Sequence, residues 1–108
     1  MTRWSLAHLD AARAVAGKRY HEFVHEAGLS AGLYALARGS EDAQKPHTED
    51  EVYVVMRGRA RFRAEGEDAA VAPGDVLFVK AGVEHRFHDV SEDLQVLVVF
   101  GPAEGSQA

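Results

Sequence analysis

Hydrophobic positions change their spacing early in the chain. Between residues 5 and 15, Leu6, Leu9, Ala12 and Val15 recur at helical intervals. This predicts a short helix, with Ser5 placed to cap its start and Gly17 to end it. Beyond Gly17 the apolar residues alternate with polar ones or gather in short runs. Strands are predicted over residues 20–25, 29–37, 52–57, 59–64, 76–80, 85–90 and 94–100. Gly28, Gly39, Gly58, Glu65-Gly66-Glu67, Pro73-Gly74-Asp75 and Ala81-Gly82 separate them as breaks or turns. Many short strands at close spacing indicate an all-β antiparallel sandwich or barrel with a short N-terminal helix.

Two strands are informative about their faces. Over residues 59–64, Ala60, Phe62 and Ala64 fall on one side and Arg59, Arg61 and Arg63 on the other. With Arg57 this is the pattern of a solvated strand face. Residues 94–100 are instead nearly all apolar, the signature of a strand covered on both faces, for which a partner subunit is one candidate. The chain of 108 residues has the size of one domain, and residues 1–108 are expected to form a single unit. Its barrel should run from about residue 19 to about residue 101, ahead of a small, polar, flexible tail over 102–108. A domain this small has a thin core margin, which a homodimer would remedy.

Composition narrows the function classes. The net charge of −5 argues against a nucleic-acid partner, which would need clustered positive charge. There is no cysteine, so disulfides and thiolate metal sites are excluded, and a reducing, cytoplasmic location is expected. Asp10 and Arg13 interrupt any apolar core of a secretory signal. No apolar run approaches the about 20 residues of a membrane span, so no membrane partner is expected.

Any metal must therefore sit on nitrogen and oxygen ligands. In Lys45-Pro46-His47-Thr48-Glu49-Asp50-Glu51, extended-chain parity places Lys45, His47, Glu49 and Glu51 on one face unless a bulge intervenes. Glu51 leads directly into the apolar run Val52-Tyr53-Val54-Val55, where a carboxylate needs compensation that a cation would supply. By the same parity His85 shares a face with Phe87 and Asp89, and His88 takes the other. Two imidazoles and one carboxylate suit zinc, manganese, iron or nickel. His21, His25 and His88 read as surface histidines, and Tyr53, Phe62, Phe78 and Phe87 as core or pocket wall.

These residues also carry a family resemblance. Gly39 is followed by five residues, Lys45-Pro46-His47, three residues, Glu51, six residues and Gly58. Pro73-Gly74 is followed by five residues, Lys80-Ala81-Gly82, two residues, His85, three residues and Asp89. Both series resemble the two spaced motifs of the cupin family over residues 39–89. The departures are Lys45 for the first histidine, Lys80 for a proline and Asp89 for the final asparagine. The resemblance implies an antiparallel double-stranded β-helix, the jelly-roll barrel, holding a divalent metal through His47, Glu51 and His85.

A protonated lysine is a poor ligand, so the fourth position stays open. It could be water, Gln44 or Glu49, or the centre could lack metal, with Lys45 paired to Glu51. On this reading the chain is a metal-dependent enzyme, of dioxygenase or isomerase/lyase type, acting on a small organic molecule. Lys45 and Glu51 are its catalytic candidates, Lys45 acting as a base if desolvated beside the cation. The alternatives are a non-catalytic small-molecule binding or sensing module and a structural dimer with a degenerate site.

Overall fold

The computed structural model describes residues 1–106. It contains α1 (Leu6–Ala16), β1 (Tyr20–His25), β2 (Ser30–Leu36), β3 (Asp50–Ala64), β4 (Glu67–Val71), β5 (Val76–Val79) and β6 (His85–Gly101). The helix starts and stops where the sequence predicts. Ser5 accepts a hydrogen bond from the His8 backbone N–H at 3.2 Å, and Gly17 closes the helix in the left-handed region. Leu9 turns inward, and Trp4 packs edge-on against Phe23 with ring centroids 4.9 Å apart.

All strand pairs are antiparallel, in the order β1-β2-β6-β3-β4, with β5 also paired to β3. The two long strands organise the molecule. The first part of β3 lies between β5 and the end of β6, whereas its last part lies between β4 and the start of β6. Where the two parts meet, the β3–β6 register shifts repeatedly between Val55 and Arg61. Such bulges bend strands, and here they fold one half of the sheet over the other. Tyr53 from the first half of β3 consequently meets Phe62 from the second, with centroids 5.7 Å apart, and Phe87 of β6 at 5.1 Å. One core cluster draws on both halves, including Val55, Phe62, Phe87, Val96 and Phe100. This is the jelly-roll arrangement.

Three strand expectations need correction. Gly58 was expected to break a strand but lies within β3 at φ +87°. Any side chain there would collide with the Asp93 carbonyl, so this glycine marks a bulge with close backbone approach. Residues 85–90 and 94–100 form one strand, because Asp89 absorbs the bend with a φ of +47° while pairing with β3 resumes on both sides. β4 was not expected at all. Its Glu-Asp-Ala-Ala-Val composition has weak strand preference, and its register with β3 supplies what propensity does not.

The solvated arginine face holds, with Ala60 and Phe62 buried and Arg57, Arg59 and Arg63 exposed. Along β6, Leu94, Val96, Val98 and Phe100 enter the core. Leu97, on the opposite face, lines an apolar recess with Trp4, Leu6 and Leu9, so helix α1 supplies part of the second cover. Residues 102–106 of the expected tail fold back onto the molecule: Ala103 is buried and Glu104 N–H donates to Ser30 Oγ at 2.8 Å. Residues 107–108 lie outside the described residues. Among the described residues, no helix is long and apolar enough to cross a membrane.

Candidate metal centre

Backbone hydrogen bonds bring the two sequence motifs together. Gly82 N–H donates to the His47 carbonyl at 2.8 Å, and Ala81 N–H donates to Asp50 Oδ1 at 2.8 Å. Gly82 stands at φ +79°, a conformation that favours glycine. His85 opens β6 opposite Ala64, while Glu51 near the start of β3 lies opposite Phe100. The fold of the sheet then points both side chains into one interior.

There, His47, Glu51 and His85 each offer a ligand atom, and the three atoms lie within 4.8 Å of one another. His85 Nε2 is 2.8 Å from Glu51 Oε1, and both side chains are only 1% exposed. The other ring nitrogen, Nδ1, is 2.9 Å from the Val83 carbonyl. A carbonyl can only accept, so Nδ1 carries a proton and Nε2 presents its lone pair to the interior. This is the orienting bond that metal-ligating histidines make. Neither carboxylate oxygen of Glu51 has a hydrogen-bond partner. A buried carboxylate without donors is expensive, and a cation among these three groups would satisfy it. The donor set therefore fits a divalent metal. Without one, burial works against the His85 imidazolium, but Glu51 and the Val83 carbonyl outweigh it and hold its pKa above the ordinary value.

Gln44 and Tyr53 complete the surroundings. Gln44 Nε2 donates to Asp42 Oδ2 at 2.9 Å, which turns Gln44 Oε1 toward the centre. That oxygen lies 3.2 Å from His47 Nε2 and accepts from the Tyr53 hydroxyl at 3.0 Å. The same hydroxyl is 3.0 Å from His85 Nε2. Burial, reinforced by the Glu51 charge, pushes the Tyr53 phenol far up, so it remains a neutral donor. Asp42 is itself buried, accepting from Tyr34 Oη at 2.7 Å and from Phe87 N–H at 2.9 Å. Glu104 Oε2 approaches His47 Nδ1 at 3.4 Å. Burial raises the pKa of Glu104 against the opposing pull of His47, with Glu22, Glu49 and Glu51 adding to the rise.

Two predicted candidates stand outside the three-residue cluster. Glu49 is buried, but it accepts from Thr48 Oγ1 and, at 2.9 Å, from Gly105 N–H, so it anchors the C-terminal segment. Lys45 is exposed and lines a cleft of about 690 Å³ that Gln44 and His85 also reach. The shared face expected for Lys45, His47, Glu49 and Glu51 fails at Lys45 because this stretch is loop up to Glu49, not strand. Asp89 likewise leaves the face of His85 and Phe87, its side chain 76% exposed at the left-handed bend.

Sequence reasoning took Tyr53 for core or pocket wall and passed over Asp42 and Glu104. An acidic residue a few positions after a glycine break was the only signal for Asp42. Glu104 had none, since its placement depends on Ala103 and Glu104 packing against other elements.

Comparison with known proteins agrees with this architecture. A family model described as Cupin domain matches residues 32–100. A curated relative from Streptomyces coelicolor, Uncharacterized protein SCO3923, is 50% identical over 104 residues, spanning 96% of this chain and 99% of its own. The crystal structure of TT1209 from Thermus thermophilus matches with a TM-score of 0.77 at 25% identity, covering 95% of this chain and 99% of the other. KdgF from Halomonas sp. matches with a TM-score of 0.70 at 24% identity over 77% and 76% of the two chains, a likeness of fold.

Proposed function

The chain belongs to the cupin domain family, and from that premise we propose that it is a metal-dependent enzyme acting on a small organic molecule. His47, Glu51 and His85 hold the ion in this reading, with Gln44 Oε1 as fourth ligand or hydrogen-bond acceptor beside it. The observation that carries it is the pair of buried Glu51 oxygens without hydrogen-bond donors, set against a His85 Nε2 whose partner nitrogen is committed to Val83. The two-histidine, one-carboxylate set suits zinc, manganese, ferrous iron or nickel. When bound, such an ion would polarise a substrate oxygen as a Lewis acid.

The surrounding residues have separate tasks. Tyr53, held neutral, can turn its O–H from Gln44 to a substrate oxygen and donate a hydrogen bond. Phe62 and Phe100, whose rings lie 6.0 Å from His85 and 4.8 Å from His47, exclude water from the inner side. Lys45, exposed at the cleft, is assigned to contacting substrate and not to the desolvated base.

Elemental analysis of protein purified without chelator tests the proposal. About one divalent ion per chain is expected, and Glu51→Ala should remove it. Failure of zinc, manganese, ferrous iron and nickel all to bind would overturn it. Oxygen uptake by the iron-loaded protein then separates dioxygenase chemistry from isomerase or lyase chemistry. A second reading, a metal-free binding module, is favoured by the 2.8 Å approach of His85 to Glu51, which also suits an imidazolium–carboxylate pair. The same analysis distinguishes the two.

We further propose a homodimer. On the outer sheet face Phe78 lies opposite Val52 and Val76 opposite Val54, with Phe78 and Val76 66% and 65% exposed. An apolar stripe of this kind on a small domain is suited to a second copy.

A further inference from the structure

The arginine face of β3 is not uniformly neutralised. Arg59 pairs with Glu92 at 3.4 Å and Arg61 with Asp68 at 2.9 Å. The Arg63 side chain has no ion pair or hydrogen bond among the described residues. Its neighbour across to β4 is Asp68, but that carboxylate already serves Arg61 and, at 2.8 Å, His88. Its neighbour across to β6 is Arg86, which is equally unpaired. Like charges directly opposite on adjacent strands are destabilising, and among the described residues nothing relieves this pair.

Arg63 and Arg86 both line the cleft of about 690 Å³ that reaches Gln44 and His85, and so does Lys45, also without a partner among the described residues. Glu65 and Glu84 share the rim yet pair with none of these cations. A chain of net charge −5 thus keeps unneutralised cations at the mouth of its metal centre. The cleft has the size of a small-molecule site. Arginine forks are suited to the paired oxygens of an oxyanion, and lysine adds a point charge.

We propose that this cleft binds an anionic small molecule, a carboxylate or phosphate compound. Its oxyanion is held by Arg63, Arg86 and Lys45, and the remainder extends toward His85 and Gln44. This rests on the metal-centre reading above and names its substrate class.

Calorimetric titration of manganese-loaded and EDTA-treated protein with succinate and with inorganic phosphate tests it, the two probes separating carboxylate from phosphate preference. Binding that weakens with added salt is expected. Arg63→Gln and Arg86→Gln should each weaken it about tenfold, the loss of one charged hydrogen-bonding group. Arg59→Gln, remote from the cleft, should leave it unchanged. Arg63→Gln should also raise the melting temperature without anion, since it removes the facing charge. Metal binding with no response to either anion, or unaltered anion affinity in both cleft variants, overturns the proposal. Anion binding without any metal binding overturns only the metal reading, because the rim contacts do not need the ion.

Discussion

Replacing Glu51 by glutamine should move stability and metal affinity in opposite directions. The Glu51 carboxylate is almost wholly buried, and neither oxygen has a hydrogen-bond partner. The amide that replaces it removes the charge and brings an N–H that can donate to His85 Nε2, now 2.8 Å from the carboxylate oxygen. His85 stays satisfied as a neutral ring, because its Nδ1–H remains on the Val83 carbonyl. Exchanging a buried carboxylate that lacks donors for a neutral amide of the same shape is worth about 1–2 kcal/mol, within the cost of leaving a buried polar group unsatisfied. For a domain of this size that is an apo melting temperature higher by about 4–9 °C.

With metal the order reverses. A site filled at 100 times its dissociation constant stabilises the native state by about 2.7 kcal/mol. The Glu51→Gln variant forfeits that gain with its anionic ligand. Thermal unfolding followed by circular dichroism, in EDTA and in a moderate excess of zinc, measures both effects on one sample. A variant that melts lower than the wild type in EDTA, or that keeps the zinc-induced rise, would show that Glu51 is not an uncompensated carboxylate awaiting a cation.

Other perturbations draw on the same geometry. The raised pKa of His85 belongs to the metal-free protein. Its contribution to stability is complete below the ordinary imidazole value of about 6.5 and is lost as pH climbs through the raised folded value. Urea midpoints of EDTA-treated protein should therefore lose this increment on going to alkaline pH, while zinc affinity rises because the proton no longer competes; midpoints and affinities both independent of pH would contradict this. Tyr53→Phe removes the hydroxyl between Gln44 Oε1 and His85 Nε2 and should cost about 1–2 kcal/mol in chemical denaturation, with weaker metal binding in competition titrations. Phe78→Glu on the exposed stripe should shift light-scattering mass from two chains toward one; an unchanged mass would remove β5 from the interface.

How far the site is legible in the sequence depends on where period-two reasoning applies. It works inside β3 and β6: Glu51, Tyr53 and Val55 alternate inward, as do His85 and Phe87. The paired motif spacings brought His47, Glu51 and His85 to attention together, and the structure sets their ligand atoms close. Parity fails where the backbone leaves the extended region. Gly58 and Asp89 take positive φ, which keeps both strands running while rotating the residues beyond them, so a predicted break became a bulge and Asp89 swung to solvent.

The loop before β3 is the more telling case, because there the inward side chain is Gln44 and not Lys45. Alternation has no means of choosing between neighbours in a loop. The choice is made by Asp42, buried through bonds from Tyr34 and Phe87, which captures the Gln44 amide N–H and leaves the next residue facing water. Those partners come from β2 and β6, far apart in sequence. A lysine at the family's first histidine position therefore does not by itself imply a degenerate centre. Since the loop presents a neutral amide oxygen to the interior, the cation that remains at Lys45 is free to serve the mouth of the cleft.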